Sequence, residues 1–400
     1  MLVLLVFTLA LLGAVLLSSR ASRTALSTAL VMLVVGYLVG PGGLGLVALD
    51  PRLPIVAQVA ELALFSTLLS EGLGVDIKEL RSDWHPAGRA LFVGLPLTML
   101  FAALIAHGLL GISWRTAWLL GAVLAPTDPV FAAGLVRRKG VSPALRRLLN
   151  VESGFNDGLA LPVVLALLPH PGEGPDAAGL LLPLGGGIAL GVVLPWVMHR
   201  VEQFKLFGIE PEYRATAGFG FGLLVYVVAR LTRANSFLAA FSAGITARTV
   251  RPELSDAFRG YIEGTADLLK FAGIFVFGAL LSPSWLFGVS VWAYVFAVLM
   301  LVAVRPVAIA IALIGSELDA RERAVAAWFG PKGFSSVLYA TLVVAAAPAG
   351  GLRFFELAAL VVTLSIVAHS STDVLAARWL GRAESAGDAA HRMPAAAGRS

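Results

Sequence analysis

Long apolar runs alternate with short polar segments from one end of the chain to the other. A run of about 20 apolar residues can cross a membrane as a helix, because each residue adds about 1.5 Å and the hydrocarbon core is about 30 Å thick. The pattern therefore predicts an all-α polytopic membrane protein. The predicted spans number thirteen and cover residues 2–18, 24–40, 54–75, 87–110, 115–137, 146–169, 177–200, 212–231, 234–249, 264–282, 286–315, 322–347 and 354–380.

The composition fits this class and excludes several kinds of chemistry. Of the 400 residues, 58% are hydrophobic and 14% are charged, whereas a soluble protein has roughly 25% charged residues. Cysteine is absent, which excludes disulfides, thiolate metal sites and thiol catalysis. The six histidines are never within four residues of one another, which argues against a helical metal-binding pair. We expect no cofactor and no metal other than a transported ion.

The basic residues indicate the orientation of the chain. With the N-terminus outside and the C-terminus in the cytoplasm, the inner loops and the start of the tail hold twenty lysines and arginines and the outer loops hold five, as the positive-inside rule predicts. In the first run, 2–18, the basic residues follow the apolar stretch, which is the reverse of a signal peptide, so we expect a retained span. We expect residues 383–400 to form a disordered cytoplasmic tail. The net charge of +5 thus reflects topology, and no nucleic-acid partner is expected.

The most polar stretch within a span is NVESGFNDG, residues 150–158. Asp157 lies about 11 residues into its span, roughly 16 Å deep and near the middle of the membrane. Ser153 shares its helical face, while Glu152 and Asn156 share the adjoining face. Carboxylates at this depth are costly and are usually functional. We therefore expect one face to bind an ion and the other to hold the scaffold; a polar patch for helix packing is the alternative.

Two other spans contain helix breakers. In GAVLAPTDPVFAAG, residues 121–134, Pro126 and Pro129 remove backbone donors, and Asp128 before Pro129 is typical of a helix N-cap. This predicts a helix that stops and restarts at mid-membrane, with a simple proline kink as the alternative. The second break lies in WFGPKGFSSV, residues 328–337. Its helix-breaking residues are Gly330, Pro331 and Gly333.

The two broken spans, the fifth and the twelfth, cross the membrane in opposite directions. Paired breaks in opposed segments are typical of transporters built from inverted repeats. We predict repeats of spans 1–6 and 8–13, with the seventh span as linker. Lys332 at the second break either offsets the negative C-terminal end of a half-helix or snorkels to the surface.

Three further charged residues lie within predicted spans. A buried Arg305 needs a carboxylate partner, and we predict Glu152, because pairing with Arg305 would prevent Asp157 from binding anything else. Glu71 lies near the inner end of span three and is either part of the site or an exposed boundary residue. Glu61 lies deeper in that span but has no supporting motif.

Together these motifs resemble the monovalent cation:proton antiporter family, in its electroneutral sodium/proton (NhaP-like) branch. The stretches APTDPV, ESGFNDGLA, RPVAI and WFGPKG occur in the family's order, and the resemblance covers about residues 2–380. It implies a homodimer in the cell membrane and a single antiporter domain over 1–382. The implied parts of that domain are a core at about 87–169 and 286–380, a dimer-forming panel at about 2–75 and 212–282, and a linker span at 177–200.

The resemblance also implies roles for the polar residues. Asp157 would bind sodium or protons, helped by Ser153, the Thr127 carbonyl and, more distantly, Glu71. Larger relatives carry long regulatory domains, and regulation of that kind is not carried over to this chain. The residues that match the family's structural ion-pair cluster are Glu152, Asn156 and Arg305.

The residues and the resemblance agree on a transport mechanism. A proton and a hard cation compete for one carboxylate, and the uncharged Asn156, where electrogenic relatives have a second aspartate, favours one-for-one Na⁺/H⁺ exchange by alternating access. A K⁺/H⁺ antiporter is the alternative within the fold, and Li⁺ is a further candidate ion. A channel or symporter is a rival transporter. An intramembrane aspartyl protease using Asp128 and Asp157 is the rival enzyme, although its usual Gly-x-Gly-Asp stretch is absent; we expect no enzymatic activity.

Overall fold

The computed structural model describes residues 2–16, 28–47, 49–75, 84–128, 141–168, 177–204, 208–250 and 252–391. Every regular element in these ranges is helical, which confirms the predicted all-α class. The main helices are α1 (Leu2–Leu16), α2 (Thr28–Val39), α3 (Pro54–Gly74), α4 (Trp84–Arg89 and Leu95–Leu110), α5 (Trp114–Leu124), α6 (Pro143–Leu167), α7 (Ala177–Glu202), α8 (Arg214–Leu231), α9 (Ser236–Val250), α10 (Pro252–Leu280), α11 (Val291–Leu299 and Arg305–Ala312), α12 (Ala320–Trp328), α13 (Phe334–Ala346) and α14 (Pro348–His391). Short helices at Pro211–Tyr213 and Pro283–Phe287 precede α8 and α11.

Six segments in the described ranges are long and apolar enough to cross a membrane. They are Pro54–Gly74, Pro86–Leu110, Leu181–Glu202, Pro211–Leu231, Val291–Ala312 and Gly350–Thr372. The helices α1, α2 and α13 are apolar but shorter. Each predicted span overlaps a helix, while the total of thirteen spans stays a prediction.

Two helices are longer than the predicted spans. The helix α10 begins at Pro252 rather than at residue 264, and proline suits the first turn of a helix because the first N–H groups have no partner there. The helix α14 continues to His391, into the segment for which we expected disorder. The added sequence contains several alanines, which favour the helix.

The helices α4 and α11 share a distortion that the span prediction missed. Each contains a π-helical turn, at Ala90–Gly94 and at Met300–Val304, shortly before Pro96 and Pro306. Proline has no N–H to donate, so a helix commonly widens or kinks next to it. The two helices occupy corresponding places in the predicted repeats and pack against each other. The matched distortions agree with the predicted inverted repeat.

The helix α3 lies between two groups of helices. It packs against α9 and α10, and it also contacts α6 and α13. Its approach to α9 is close, since a Cβ on Gly72 would meet the Phe241 carbonyl oxygen and a Cβ on Gly244 would meet the backbone of α3. Small residues at such crossings are typical of membrane helices. Because of this position, a side chain of α3, such as that of Glu71, can lie between α6, α10 and α13.

Candidate functional site

The two interrupted segments meet inside the fold. The helix α5 ends at Leu124, and the chain continues without helix through Asp128, the last residue described before a gap. Residues 329–333 separate α12 from α13, as the breakers in that stretch predicted. The Asp128 N–H donates to the Pro331 carbonyl at 2.9 Å. Pro126 lies in the first break, whereas Pro129 and any restart of that helix lie outside the described residues.

Each broken segment supplies a charge to a helix end of the other. Asp128 Oδ2 accepts a hydrogen bond from the Phe334 N–H at 2.9 Å, at the start of α13. In return, Lys332 Nζ donates to the carbonyl oxygens of Ala125 at 2.8 Å and Pro126 at 3.3 Å, just after α5. A carboxylate at a helix N-terminus and an ammonium at a C-terminus are both favourable. Lys332 is fully buried, so the snorkelling interpretation is wrong.

Arg305 connects a third helix end to α6. Its Nη2 atom lies 2.7 Å from Glu152 Oε1 and 2.9 Å from Glu152 Oε2. The guanidinium also donates to the carbonyl oxygens of Ala326 at 3.2 Å and Phe329 at 3.0 Å, at the end of α12. Both charged side chains are buried. The predicted pairing with Glu152 is therefore present, and Arg305 makes no such pair with Asp157.

Asp157 lies on α6 facing α13. It is 1% exposed, and its Oδ2 atom accepts a hydrogen bond from the Ser335 hydroxyl. Its main-chain carbonyl accepts one from the Tyr339 hydroxyl at 2.9 Å. The other carboxylate oxygen, Oδ1, has no hydrogen-bond donor among the described residues. A buried polar atom without a partner is costly, so Oδ1 is suited to receive a proton or a cation.

Glu71 reaches the same region from α3. Both of its carboxylate oxygens are buried without a donor among the described residues, and Asp157, Lys270 and Asp128 act on it electrostatically. Two ionised carboxylates cannot hydrogen-bond to each other, whereas a proton on either one makes that bond possible. Because its carboxylate oxygens are buried, the interpretation of Glu71 as an exposed boundary residue is wrong. The two acids can share one proton or one cation.

The other predicted site residues lie close to Asp157 in sequence or on the first break. The Ser153 hydroxyl donates to the Leu149 carbonyl at 2.6 Å within α6, which leaves its lone pairs available. Asn156 Nδ2 donates to Thr127 Oγ1 at 2.6 Å and lies 3.4 Å from the Thr127 carbonyl oxygen. Asn156 therefore holds α6 against the unwound segment that follows α5.

Three residues of this region were not predicted. Ser335 and Tyr339 are four residues apart on α13 and so share one face of the helix. This spacing, directly after the second break, could have indicated that both face the site. Lys270, on α10, is 8% exposed, and its signal was a lysine within an apolar run. Glu61 lies elsewhere and accepts hydrogen bonds at 3.2 Å from both Tyr226 and Arg230.

We expect Gly333→Ala to lower the thermal stability, because Gly333 lies directly against Asp128. A Cβ at this position would lie 2.5 Å from the Asp128 Cβ and 2.8 Å from its Cγ. The carboxylate would have to leave the Phe334 N–H, and overpacking with a lost cap costs about 1–3 kcal/mol. The measurement is the unfolding temperature of detergent-purified protein. Gly108→Ala is the control, since a Cβ there meets nothing within 4 Å; equal unfolding temperatures for the two variants would contradict the prediction.

Comparison with known sequences matches nearly the whole chain. The family model described as "Sodium/hydrogen exchanger, transmembrane" matches residues 6–378. A "K(+)/H(+) antiporter NhaP2" of Shewanella baltica is 25% identical over 372 residues, covering 91% of this chain and 64% of that protein. A "K(+)/H(+) antiporter NhaP" of Alkalimonas amylolytica is 26% identical over 378 residues, covering 92% and 64%. This chain thus spans slightly less than two thirds of the length of these relatives.

Two further comparisons concern sodium-named proteins. A "Na(+)/H(+) antiporter ApNhaP" of Aphanothece halophytica is 28% identical over 187 residues, covering 44% of this chain and 36% of that protein. The structure of the sodium proton antiporter MjNhaP1 from Methanocaldococcus jannaschii at pH 8 superimposes with a TM-score of 0.74 at 20% identity, covering 96% of this chain and 97% of that one. At this identity the likeness shows a shared fold.

Proposed function

The chain belongs to the sodium/hydrogen exchanger family, and we propose that it is a secondary active antiporter that exchanges Na⁺ for H⁺ one for one. The observation that carries this proposal is the pair of buried acids, Asp157 and Glu71, whose three remaining carboxylate oxygens have no donor among the described residues. The matched family and relatives are transporters, not enzymes. The aspartyl protease alternative is not supported, and Asp128 instead caps α13.

The chemistry of the site suits competition between a proton and a hard cation. Carboxylate, hydroxyl and carbonyl oxygens are the ligands that hard cations prefer, and Asp157, Ser153 and Thr127 supply all three types. Burial in a low dielectric disfavours a carboxylate that is charged and unpaired. The site is neutralised by either ligand, so the loaded form can change its exposure while the charged, ion-free form resists doing so.

We propose that the core, 87–169 and 286–380, moves against the panel, 2–75 and 212–282, within one antiporter domain of residues 1–382 that has 177–200 as its linker. The packing supports this division, because α3, α9 and α10 contact one another, while α4, α5 and α11 to α14 pack in a second group. Asp157 belongs to the proposed core and Glu71 to the proposed panel. A relative movement would therefore open and close the site between them.

The proposed setting is the plasma membrane, with the N-terminus outside, the C-terminus in the cytoplasm and a homodimer as the functional unit. The excess of basic residues in the predicted inner loops supports the orientation. The helices α7 and α8 are the least buried of the long spans, with 17% and 22% of their apolar windows buried. This exposed apolar area is available to lipid or to a second copy.

Proteoliposomes containing the purified chain test the exchange. An outward proton gradient should drive Na⁺ uptake that stops when the gradient is collapsed, because each pH unit supplies about 1.4 kcal/mol. Na⁺ uptake with no proton movement in the opposite direction, or proton movement without cations, would contradict antiport and favour a channel.

Potassium is the second candidate substrate. The relatives named as K⁺/H⁺ antiporters match 91% and 92% of this chain, whereas the Na⁺/H⁺-named relative matches 44%. The same assay with Na⁺, K⁺ and Li⁺ in turn decides which ion is carried. A rate with K⁺ well above the rate with Na⁺ would make the protein a K⁺/H⁺ antiporter.

We expect a membrane potential to leave the exchange rate unchanged. One cation exchanged for one proton moves no net charge, so the potential, worth about 2.3 kcal/mol per charge per 100 mV, cannot drive it. The measurement is cation uptake into proteoliposomes with no pH gradient, compared with and without a potassium–valinomycin potential. If K⁺ proves to be the substrate, a gradient of the lipophilic cation tetraphenylphosphonium sets the potential instead. Uptake that the potential accelerates, by more than it does in protein-free liposomes, would overturn the one-for-one stoichiometry.

A further inference from the structure

A buried lysine faces the proposed transport acids from α10. Lys270 is 8% exposed, and its charge acts on both Glu71 and Asp157. The helix α10 packs against α3, which carries Glu71, and against α13, which contacts Asp157. The lysine therefore shares the region in which the two acids meet, although the transport chemistry described above assigns it no role.

The charges of this region nearly cancel. The buried pair of Arg305 and Glu152 is neutral by itself. Asp267 also acts on Lys270, but it is exposed and therefore lies outside this buried group. Three carboxylates then face two ammonium groups, which leaves one negative charge when all five are ionised. These groups are Asp128, Asp157, Glu71, Lys270 and Lys332.

The two lysines have different tasks. Lys332 is fixed by hydrogen bonds to the carbonyl oxygens of Ala125 and Pro126. Lys270 instead interacts with carboxylates from three other segments of the chain, namely those of Glu71, Asp128 and Asp157. Its position matches that of a cation held in place by acids rather than of a helix cap.

Resting on the proposed exchange, we propose that Lys270 is the built-in counter-ion of the transport site. Its ammonium group holds the ion-free site at one negative charge, so that one monovalent cation or one proton completes neutrality. The same positive charge repels the transported cation and keeps its binding weak enough for release. Lys270 thereby explains how a site with two transport acids can exchange a single positive charge.

The test measures Na⁺ binding without transport, as the stabilisation of detergent-purified protein against heat at alkaline pH with choline as the replacement cation. Lys270→Met removes the charge and keeps the approximate length of the side chain. The Na⁺ concentration for half-maximal stabilisation should then fall about tenfold, because the lysine ammonium no longer repels the bound cation in a medium of low dielectric. Lys270→Arg keeps the charge and should stay within about twofold of the wild type. If K⁺ is the substrate, the titration uses K⁺.

The outcomes separate the two proposals. A wild-type protein that Na⁺, K⁺ and Li⁺ all fail to stabilise would contradict the proposed function itself. A wild-type protein that responds, beside a Lys270→Met protein with an unchanged or higher half-maximal concentration, would overturn the counter-ion role alone.

A second variant covers the case in which Lys270→Met does not fold. Glu71→Gln with Lys270→Met restores the original charge balance and should fold. Its cation affinity should exceed that of Glu71→Gln alone by about tenfold. Equal affinities, or a double variant that fails to fold while Glu71→Gln folds, would overturn the proposal.

Discussion

Asp157→Asn is expected to abolish cation exchange and leave a folded protein. The substitution keeps the shape of the side chain and removes both its charge and its ability to titrate. A neutral amide is less costly to bury than a carboxylate, and the Ser335 hydroxyl that now donates to Asp157 Oδ2 can donate equally to an amide oxygen. The scaffold contacts of Glu152 and Asn156 lie on the adjoining face of α6 and are untouched.

The measurement is pH-gradient-driven cation uptake by reconstituted protein, normalised to folded protein. The Asp157→Asn rate should fall to that of protein-free liposomes, whereas Ser153→Ala should only weaken the apparent affinity, since it removes one neutral ligand. Glu61→Gln is a matched control, because Glu61 is another acid on a membrane helix that pairs with Tyr226 and Arg230 away from the site. If Asp157→Asn exchanges at near the wild-type rate while folded Glu152→Gln is inactive, the roles of the two acids are reversed.

The helical class and the second helix break could be predicted because both depend on local sequence. Apolar runs of membrane length allow little besides helices, since lipid offers no partner to backbone groups. Likewise Gly330, Pro331 and Gly333 interrupt a helix wherever it packs. The Arg305–Glu152 pair was predictable for a related reason: a buried arginine requires an acid, and Asp157 was reserved for the ion.

The contacts between the broken segments could not be predicted. Asp128 followed by proline indicated a cap for its own span, yet its Oδ2 atom accepts from Phe334, more than 200 residues away along the chain. Lys332 makes the converse contact at the end of α5. Such pairings depend on how two distant segments cross, and spacing within either segment carries no information about that crossing. Ser335, Tyr339 and Lys270 were missed for the same reason.

Breaking a helix inside a membrane exposes backbone groups that need new partners, and this explains why so many charged residues are buried here. The last carbonyls of α5 receive the Lys332 ammonium, the last carbonyls of α12 receive the Arg305 guanidinium, and the first N–H of α13 donates to Asp128. Each charge compensates the partial charge at a helix end. Most of the buried charged groups thus pair with helix ends in the scaffold, and the carboxylates of Asp157 and Glu71 are the ones available to bind the ion.

Arg305→Ala is expected to destabilise the protein strongly, by about 3–5 kcal/mol, because it leaves the Glu152 carboxylate buried without its partner. The same substitution removes the donors to the Ala326 and Phe329 carbonyl oxygens at the end of α12. The measurement is the unfolding temperature in detergent together with the yield of monodisperse protein. An unchanged unfolding temperature would show that the ion pair does not hold the scaffold.

A double variant separates the charge from the shape of this contact. Arg305→Met with Glu152→Gln removes both ionised groups, so no buried charge is left alone, and the loss should be smaller than for Arg305→Ala. Arg305→Lys keeps the charge but cannot donate to Glu152, Ala326 and Phe329 from one planar group, so it should fall between the wild type and Arg305→Ala. If the double variant is no more stable than Arg305→Ala, the carbonyl contacts of Arg305, rather than its pairing with Glu152, dominate its contribution to stability.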